Sequence, residues 1–588
     1  MNARTDRTHS RVPRPIAAII GLCALCASPH GWPEEQDPHA KVFAEEAYPS
    51  AKVCSNCHQQ IFWEWAASNH AYSSISPMFH KFEQTINVLS SGTVGSFCVR
   101  CHQQIGTQRN EPREQPLWER SEISREGVTC ITCHRVNAEF GKVNGERHVQ
   151  PATIFEPVYG AGLEENLDEV IQDPEYYNLS TRPDAGDDEG TPIHLSTVPF
   201  DQISKSEFCV SCHQVAVHPG IKLEVVWDQY RDSPGAKHGI TCQECHMGKV
   251  PGKPEGYDTS PIAIVNGRVI GEDKKHSNHS FYGPGYPIAH PGLFPYNPRA
   301  LRWEIEAWLK FNYRAPWGER EWEEKLARGE VGPVDFPSEW SDREDRELAR
   351  YVVTQNQQLL DQKRELRRQV MENGSRIDGP FFKSPPRVGE DLSFHYRVTN
   401  IDEGHNLPSG SLGAQPEIWL NVVLVGPDGN WLWESGHVDS HGDMADLHSL
   451  DVAAKKIEHD DQLFNLQTKF LTTNVKGTDR EMYLPVNFDI DQLPFIRPPG
   501  VPTTVLNHPP FIRMEGRSIP PFGYRDAKYE VDGQLLSEPG KYKLQARLRS
   551  RAEPIYFMKF VGATVDMERA MNEWMLDIHP YAVEFEVK

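Results

Sequence analysis

The chain has no cysteine to spare. Of its twelve, ten fall in one recurring pentapeptide, and the other two, Cys23 and Cys26, lie in the first thirty residues. The remainder of the chain therefore has none left for a disulfide, even in a compartment that permits one. Apolar runs are equally scarce: beyond residue 27 none approaches the about 20 residues that a membrane helix needs. Positive charge is short as well, with 61 Lys and Arg against 83 Asp and Glu, a net charge of −22. Such a surface argues against nucleic acid and anionic membranes as partners. No second arginine adjoins Arg4, Arg7, Arg11 or Arg14, so a twin-arginine signal is missing. Leu precedes both Cys23 and Cys26, which does not suit a lipid anchor.

What the N-terminus does hold is an order of parts. Four arginines precede the apolar run Ile16–Ala27, and Ser28, Pro29 and Gly31 follow it. Basic, then apolar, then small and polar is the pattern of a secretory signal, read here over residues 1–27. Its removal takes away three net positive charges and leaves a more acidic mature chain. Export places the protein in the periplasm or at the cell surface.

The recurring pentapeptide is Cys-x-x-Cys-His, at Cys54–His58, Cys98–His102, Cys130–His134, Cys209–His213 and Cys242–His246. It is the attachment site of a c-type haem. Cys54, Cys57, Cys98, Cys101, Cys130, Cys133, Cys209, Cys212, Cys242 and Cys245 supply the thioether bonds. His58, His102, His134, His213 and His246 are placed to bind iron on the proximal face. Zinc also uses paired cysteines, but it does not explain a His after every pair. The expected cofactor is five covalent haem c groups.

The opposite face of each iron takes a second His, a Met, water or substrate, and that choice separates a wire from an enzyme. His70, His148, His194 and His279 lie within a loop's distance of motifs and are the distal candidates. His405, in Gly404-His405-Asn-Leu-Pro408, is a fifth and would carry a C-terminal domain onto a haem. His80, His218, His238, His276 and His290 read as solvated or hydrogen-bonding histidines. Met78 and Met247 read as packing residues.

The motifs recur about once per 40 residues, too densely for each haem to own an apolar core. The expected fold is α+β and multidomain. A haem-packed region of short helices and loops spans 43–295, with Glu156–Pro199 read mostly as loop. A helical connector spans 296–386, with helices over Pro298–Phe311 and Pro337–Asn373. In the second, Ser341 and Glu344 resemble a capping box, Gly374 is the stop, and Leu348, Val352, Leu359, Leu360 and Leu366 form the apolar stripe. From 387 to 588 the period shifts to two. Strands are expected at Leu392–Asn400, Ile418–Val425, Asn430–Glu434, Lys541–Ser550 and Ala582–Lys588, with a long insertion around 440–530. This reads as a β-sandwich.

Residues 50–290 resemble multihaem cytochromes of the cytochrome c554 type. The likeness rests on Trp65 to Ala71 after the first motif and on Gly127-Val-Thr before the third. It rests further on Ser233-Pro and Gly239-Ile-Thr before the fifth, and on His279-Ser-Phe281-x-Gly283. The resemblance implies haems packed in stacked and perpendicular pairs, mostly with two axial histidines, the matching positions here being His70, His148 and His279. The third site departs from the family pattern, reading His134-Arg135-Val136. The C-terminal segment is similar to sandwich domains of large exported cytochromes, through Gly404-His405 and Glu538-Pro-Gly-Lys-Tyr542.

Three functions remain open on this reading. An electron relay handing charge to redox partner proteins needs two protein ligands on every iron. An oxidoreductase of a small nitrogen or sulfur compound needs one vacant distal face. A subunit of a cell-surface complex or self-assembled filament would borrow ligands between chains.

Overall fold

The computed structural model describes residues 47–588, apart from 90–91, 93–94, 140–143, 145–146, 161–163, 184–189, 218–220, 271–273, 410–415, 468, 474–480, 484–511 and 516. The signal segment, Cys23, Cys26 and His218 lie outside the described residues. From Glu45 to Lys588 the chain clusters as one unit.

Across the five motifs the helices are short. Among the longer ones are α1, Gln59–Ala66, and α2, Pro77–Leu89. The apolar clusters here are small, such as Phe62, Trp65, Ala71 and Tyr72 with Phe294, or Ile105, Ile123, Ile131 and Val149. Glu156–Pro199 is more ordered than its Gly, Pro and Asp content suggests. Val158–Gly160 pairs in parallel with Thr197–Pro199, and a helix over Glu164–Ile171 lies between them in sequence.

The connector begins with a break. Pro298–Arg302 is a 3₁₀ turn, and an α-helix restarts at Ile305–Lys310. An aromatic cluster of Trp308, Phe311, Trp317 and Trp340 then packs on Val352 and Val353. The latter two belong to α3, Arg343–Gly374, whose 32 residues span about 48 Å at 1.5 Å per residue. Asp342, not Ser341, caps α3: its carboxylate accepts the backbone N–H groups of Glu344 and Asp345. The inward stripe is also shifted from the expected one. Ala349, Val352, Val353, Asn356, Leu360, Lys363, Arg367 and Met371 are buried, whereas Leu348 is exposed. The spacing of three and four residues holds; polar residues share the face.

Two antiparallel sheets follow directly from α3. In chain order the strands of these two sheets are β1, Ser375–Phe382; β2, Leu392–Asn400; β3, Glu417–Val425; β4, Trp431–Ser435; β5, Tyr524–Val531; β6, Gly540–Arg551; and β7, Leu576–Val587, and Lys469–Thr473, Glu481–Tyr483 and Ile512–Glu515 form a separate small sheet. β1, β2 and β5 form one sheet, and β4, β3, β6 and β7 the other. Alternating residues of β2, β5 and β6 meet β3 in one core containing Phe394, Tyr396, Leu420, Leu424, Tyr529, Leu544 and Leu548. β1 and β5 add to the strands expected from the sequence, and β7 starts six residues before Ala582. Every position of β3 is buried, so both of its faces are covered.

Candidate multihaem centre

Each motif winds into about one helical turn. The turns at Cys130–His134 and Cys242–His246 carry N-terminal capping boxes, Thr129 with Thr132 and Thr241 with Glu244. In the first motif the His58 amide bonds Cys54 O at 2.9 Å. Such a turn sets both sulfurs and the imidazole on one side. All ten thiols are without a disulfide, and all ten line one continuous cavity of about 1340 Å³. Nine of the ten expected histidines line it too; His148 does not.

The histidines meet in pairs across this cavity. His58 faces His194 with ring centres 6.5 Å apart and planes 9° from parallel. His134 faces His279 at 6.5 Å and 28°, and His246 faces His405 at 6.1 Å and 17°. His213 faces His70 at 6.4 Å and 45°. Two iron–nitrogen bonds of about 2 Å, plus about 1 Å from each nitrogen to its ring centre, would put the rings about 6 Å apart. The four pairs therefore fit an iron between them.

The ring tautomers suit the same task. His58 Nδ1 donates to Ile262 O at 2.8 Å, His134 Nδ1 to Tyr159 O at 2.9 Å and His102 Nδ1 to Ser73 O at 3.2 Å. His279 Nδ1 donates to Ser277 O, and His405 Nδ1 to Asn406 O. A carbonyl only accepts, so Nδ1 holds the proton and Nε2 is left with its lone pair. Burial depresses the imidazole pKa values, to about 3 for His70 and about 4 for His194 and His279. These rings are neutral at neutral pH, the state that binds a metal.

The pairing differs from the order along the chain. His148 is exposed and donates through Nδ1 to Val149 O at 3.1 Å; the imidazole opposite His134 is His279. His70, next to the first motif in sequence, faces the fourth. His102 faces no imidazole among the described residues, and Phe79 stacks on its ring at 4.1 Å and 6°. His80, His276 and His290 bond Ser74 O, Glu64 Oε1 and Phe311 O.

Long-range contacts hold these partners in place. Val128 N–H bonds His70 O at 3.0 Å. The close approach needs Gly127 at φ +70°, where a Cβ would lie 2.5 Å from that carbonyl. His405 sits in the β2–β3 loop, fixed by Asn400 Nδ2 donating to its carbonyl and by Glu403 O accepting Gly235 N–H. The four residues His279 to Tyr282 serve three pairs: His279 faces His134, the Phe281 ring lies 4.1 Å from His70, and Tyr282 O accepts from His246 Nδ1. Within this segment Phe281 adopts a positive φ.

The thiols of neighbouring motifs lie close enough to perturb one another. Cys54 meets Cys130, Cys101 meets Cys212, and Cys209 meets Cys242. The Arg147 guanidinium lies between Cys133 and Cys212, 3.9 Å from the latter. The attachment sites thus run first, third, fourth, fifth, with the second joined to the fourth.

A set of Cys-x-x-Cys-His turns around one cavity, with facing imidazoles, defines a multihaem c-type cytochrome. Residues 53–135 match the family model of cytochrome c554 and c-prime. In structure the chain is similar to a penta-haem cytochrome c552 from Thermochromatium tepidum, at 14% identity and a TM-score of 0.49. That alignment covers 92% of this chain and 100% of the other. It also aligns with the alkylpurine DNA glycosylase AlkC of Pseudomonas fluorescens, at 8% identity and a TM-score of 0.12, over 46% and 43% of the two chains. At these scores neither likeness bears on function. No curated protein matches the chain in sequence. Among the described residues no helix is long and apolar enough to cross a membrane.

Proposed function

We propose that the protein is an exported electron relay holding five covalent haems, four of them ligated by two histidines. The observation that carries this reading is the set of four facing imidazole pairs, 6.1 to 6.5 Å apart. The assigned pairs are His58 with His194, His134 with His279, His213 with His70, and His246 with His405; His102 is the proximal ligand of the second site. Bound haem supplies one-electron chemistry, and the chain supplies spacing, ligands and burial. Contact between neighbouring motifs makes the fourth site a junction, with the first and third on one arm and the second and fifth as two exits. The β-sandwich contributes His405 and is in this reading part of the relay. Redox proteins are its partners.

A second reading has one observation in its favour. With Phe79 on its ring and no described imidazole opposite, His102 marks a site where a small nitrogen or sulfur compound would reach iron. Low-temperature EPR of the oxidised holoprotein, with and without nitrite, hydroxylamine or cyanide, separates the two. Four low-spin signals, and a fifth iron whose signal these compounds leave unchanged, support the relay; a high-spin iron that shifts on their addition supports the oxidoreductase. Protein mass after cytochrome maturation, heavier by five haems, checks the cofactor count.

A further inference from the structure

The inward stripe of α3 holds two cations one turn apart, Lys363 and Arg367, only 7% and 1% exposed. Both line a second cavity of about 240 Å³, together with Gln60, Ser280 and Tyr282. Arg367 Nε donates to Pro284 O at 2.8 Å and Nη1 to Trp574 O at 3.4 Å, while Nη2 is buried with no acceptor. No hydrogen bond or ion pair among the described residues reaches the Lys363 ammonium. The one carboxylate in the described cavity wall is Glu64, and both of its oxygens are engaged. Oε1 accepts from His276 Nε2 at 2.8 Å, and Oε2 from the His279 N–H at 2.9 Å.

Two like charges out of water, side by side and without a counterion, are strongly unfavourable. Burial, with Arg367 adding to it, pushes Lys363 down to about 7, and burial pushes Arg367 down to about 9. Water in the cavity would solvate the donors but would not neutralise the pair. We propose that Lys363 and Arg367 form a binding site for one anionic oxygen group, a carboxylate or small oxyanion. The cavity shares Tyr282 and Gly283 with the large one, so two sources of this chemistry reach it. One is a haem propionate, which rests on the relay reading; the other is a free anion, which does not.

Lys363→Met in the holoprotein tests the site. With an anion bound, the variant leaves that anion half-paired, and its melting temperature falls below wild type, in anion-poor buffer for a propionate and at saturating acetate or sulfate for a free anion. A propionate source adds a fall in the midpoint potential of one haem, unaffected by sodium acetate or sulfate. A free-anion source makes acetate or sulfate raise the wild-type melting temperature to saturation and leaves Lys363→Met unresponsive. Lys363→Arg, which keeps the charge, retains the wild-type behaviour, and the wild-type anion titration needs no variant at all. A melting temperature for Lys363→Met above wild type at saturating acetate or sulfate overturns the proposal, because it reports relief of an unpaired buried ammonium. So does a fall accompanied by neither a potential shift nor an anion response. Absence of haem from the protein, read by pyridine haemochrome absorbance, would strike the relay reading and the propionate source while leaving the free-anion titration to decide the site.

Discussion

At the scale of single residues, the tightest constraint is the placing of one nitrogen opposite another. His405 is the sharpest instance, because it stands about 160 residues beyond the motif it faces, a separation read from the numbering. Replacing it with Ala should convert one low-spin signal in the EPR spectrum to high-spin and leave the other bis-histidine signals in place. His148→Ala should leave the spectrum unchanged, since that ring is exposed and faces no other imidazole among the described residues. Gly127 is the residue on which the His70 backbone rests. Gly127→Ala puts a methyl where the His70 carbonyl already sits and strains a positive φ, so the low-spin signal of the fourth site should broaden or shift.

At the scale of elements, neighbouring strands β3 and β6 are tied by an ion pair that is dry as well as charged. Arg551, at the end of β6, is 0% exposed and donates through Nε and Nη2 to Glu417 at the start of β3, at 2.9 and 2.6 Å. Its Nη1 also donates to Asn572 Oδ1 at 2.7 Å. Removing one partner of such a pair strands the other in low dielectric, which costs about 3–5 kcal/mol. Arg551→Met should therefore shift the urea midpoint to much lower concentration, and Arg551→Met with Glu417→Leu should recover much of the loss. Along α3 the apolar period was legible from Val352 and Leu360. The registry of its buried face was not, because Asn356, Lys363 and Arg367 lie on that face and read as surface residues. Asn356 is there because its amide donates to Pro291 O and Pro295 O at 2.7 and 3.0 Å.

At the scale of the whole molecule, stability should depend on pH through Glu126. This carboxyl is buried between the first and third motifs, where it accepts from the Ala51 N–H at 3.0 Å and the Thr129 hydroxyl at 2.6 Å. Burial raises its pKa from 4.5 to about 7. A raised carboxyl pKa means that the folded state holds the proton more tightly than the unfolded chain. The contribution is full below about 4.5 and is lost as pH climbs through about 7. The melting temperature of Glu126→Gln, compared with wild type between these limits, should show a difference that grows in favour of the variant as pH rises.

The sequence by itself determined the chemistry of attachment. Two sulfurs and an imidazole within five residues are a local pattern, and a single helical turn presents them together whatever the rest of the chain does. It also determined the alternation of strands such as β2 and β6, since a half-buried strand writes its burial into neighbouring residues. Only the tertiary structure decided which imidazole crosses to which motif, because those partners come from loops up to about 160 residues away. The same is true of His279 opposite His134 and of the two cations inside α3. Facing across a cavity is a property of chain crossings, and no spacing along the chain encodes it.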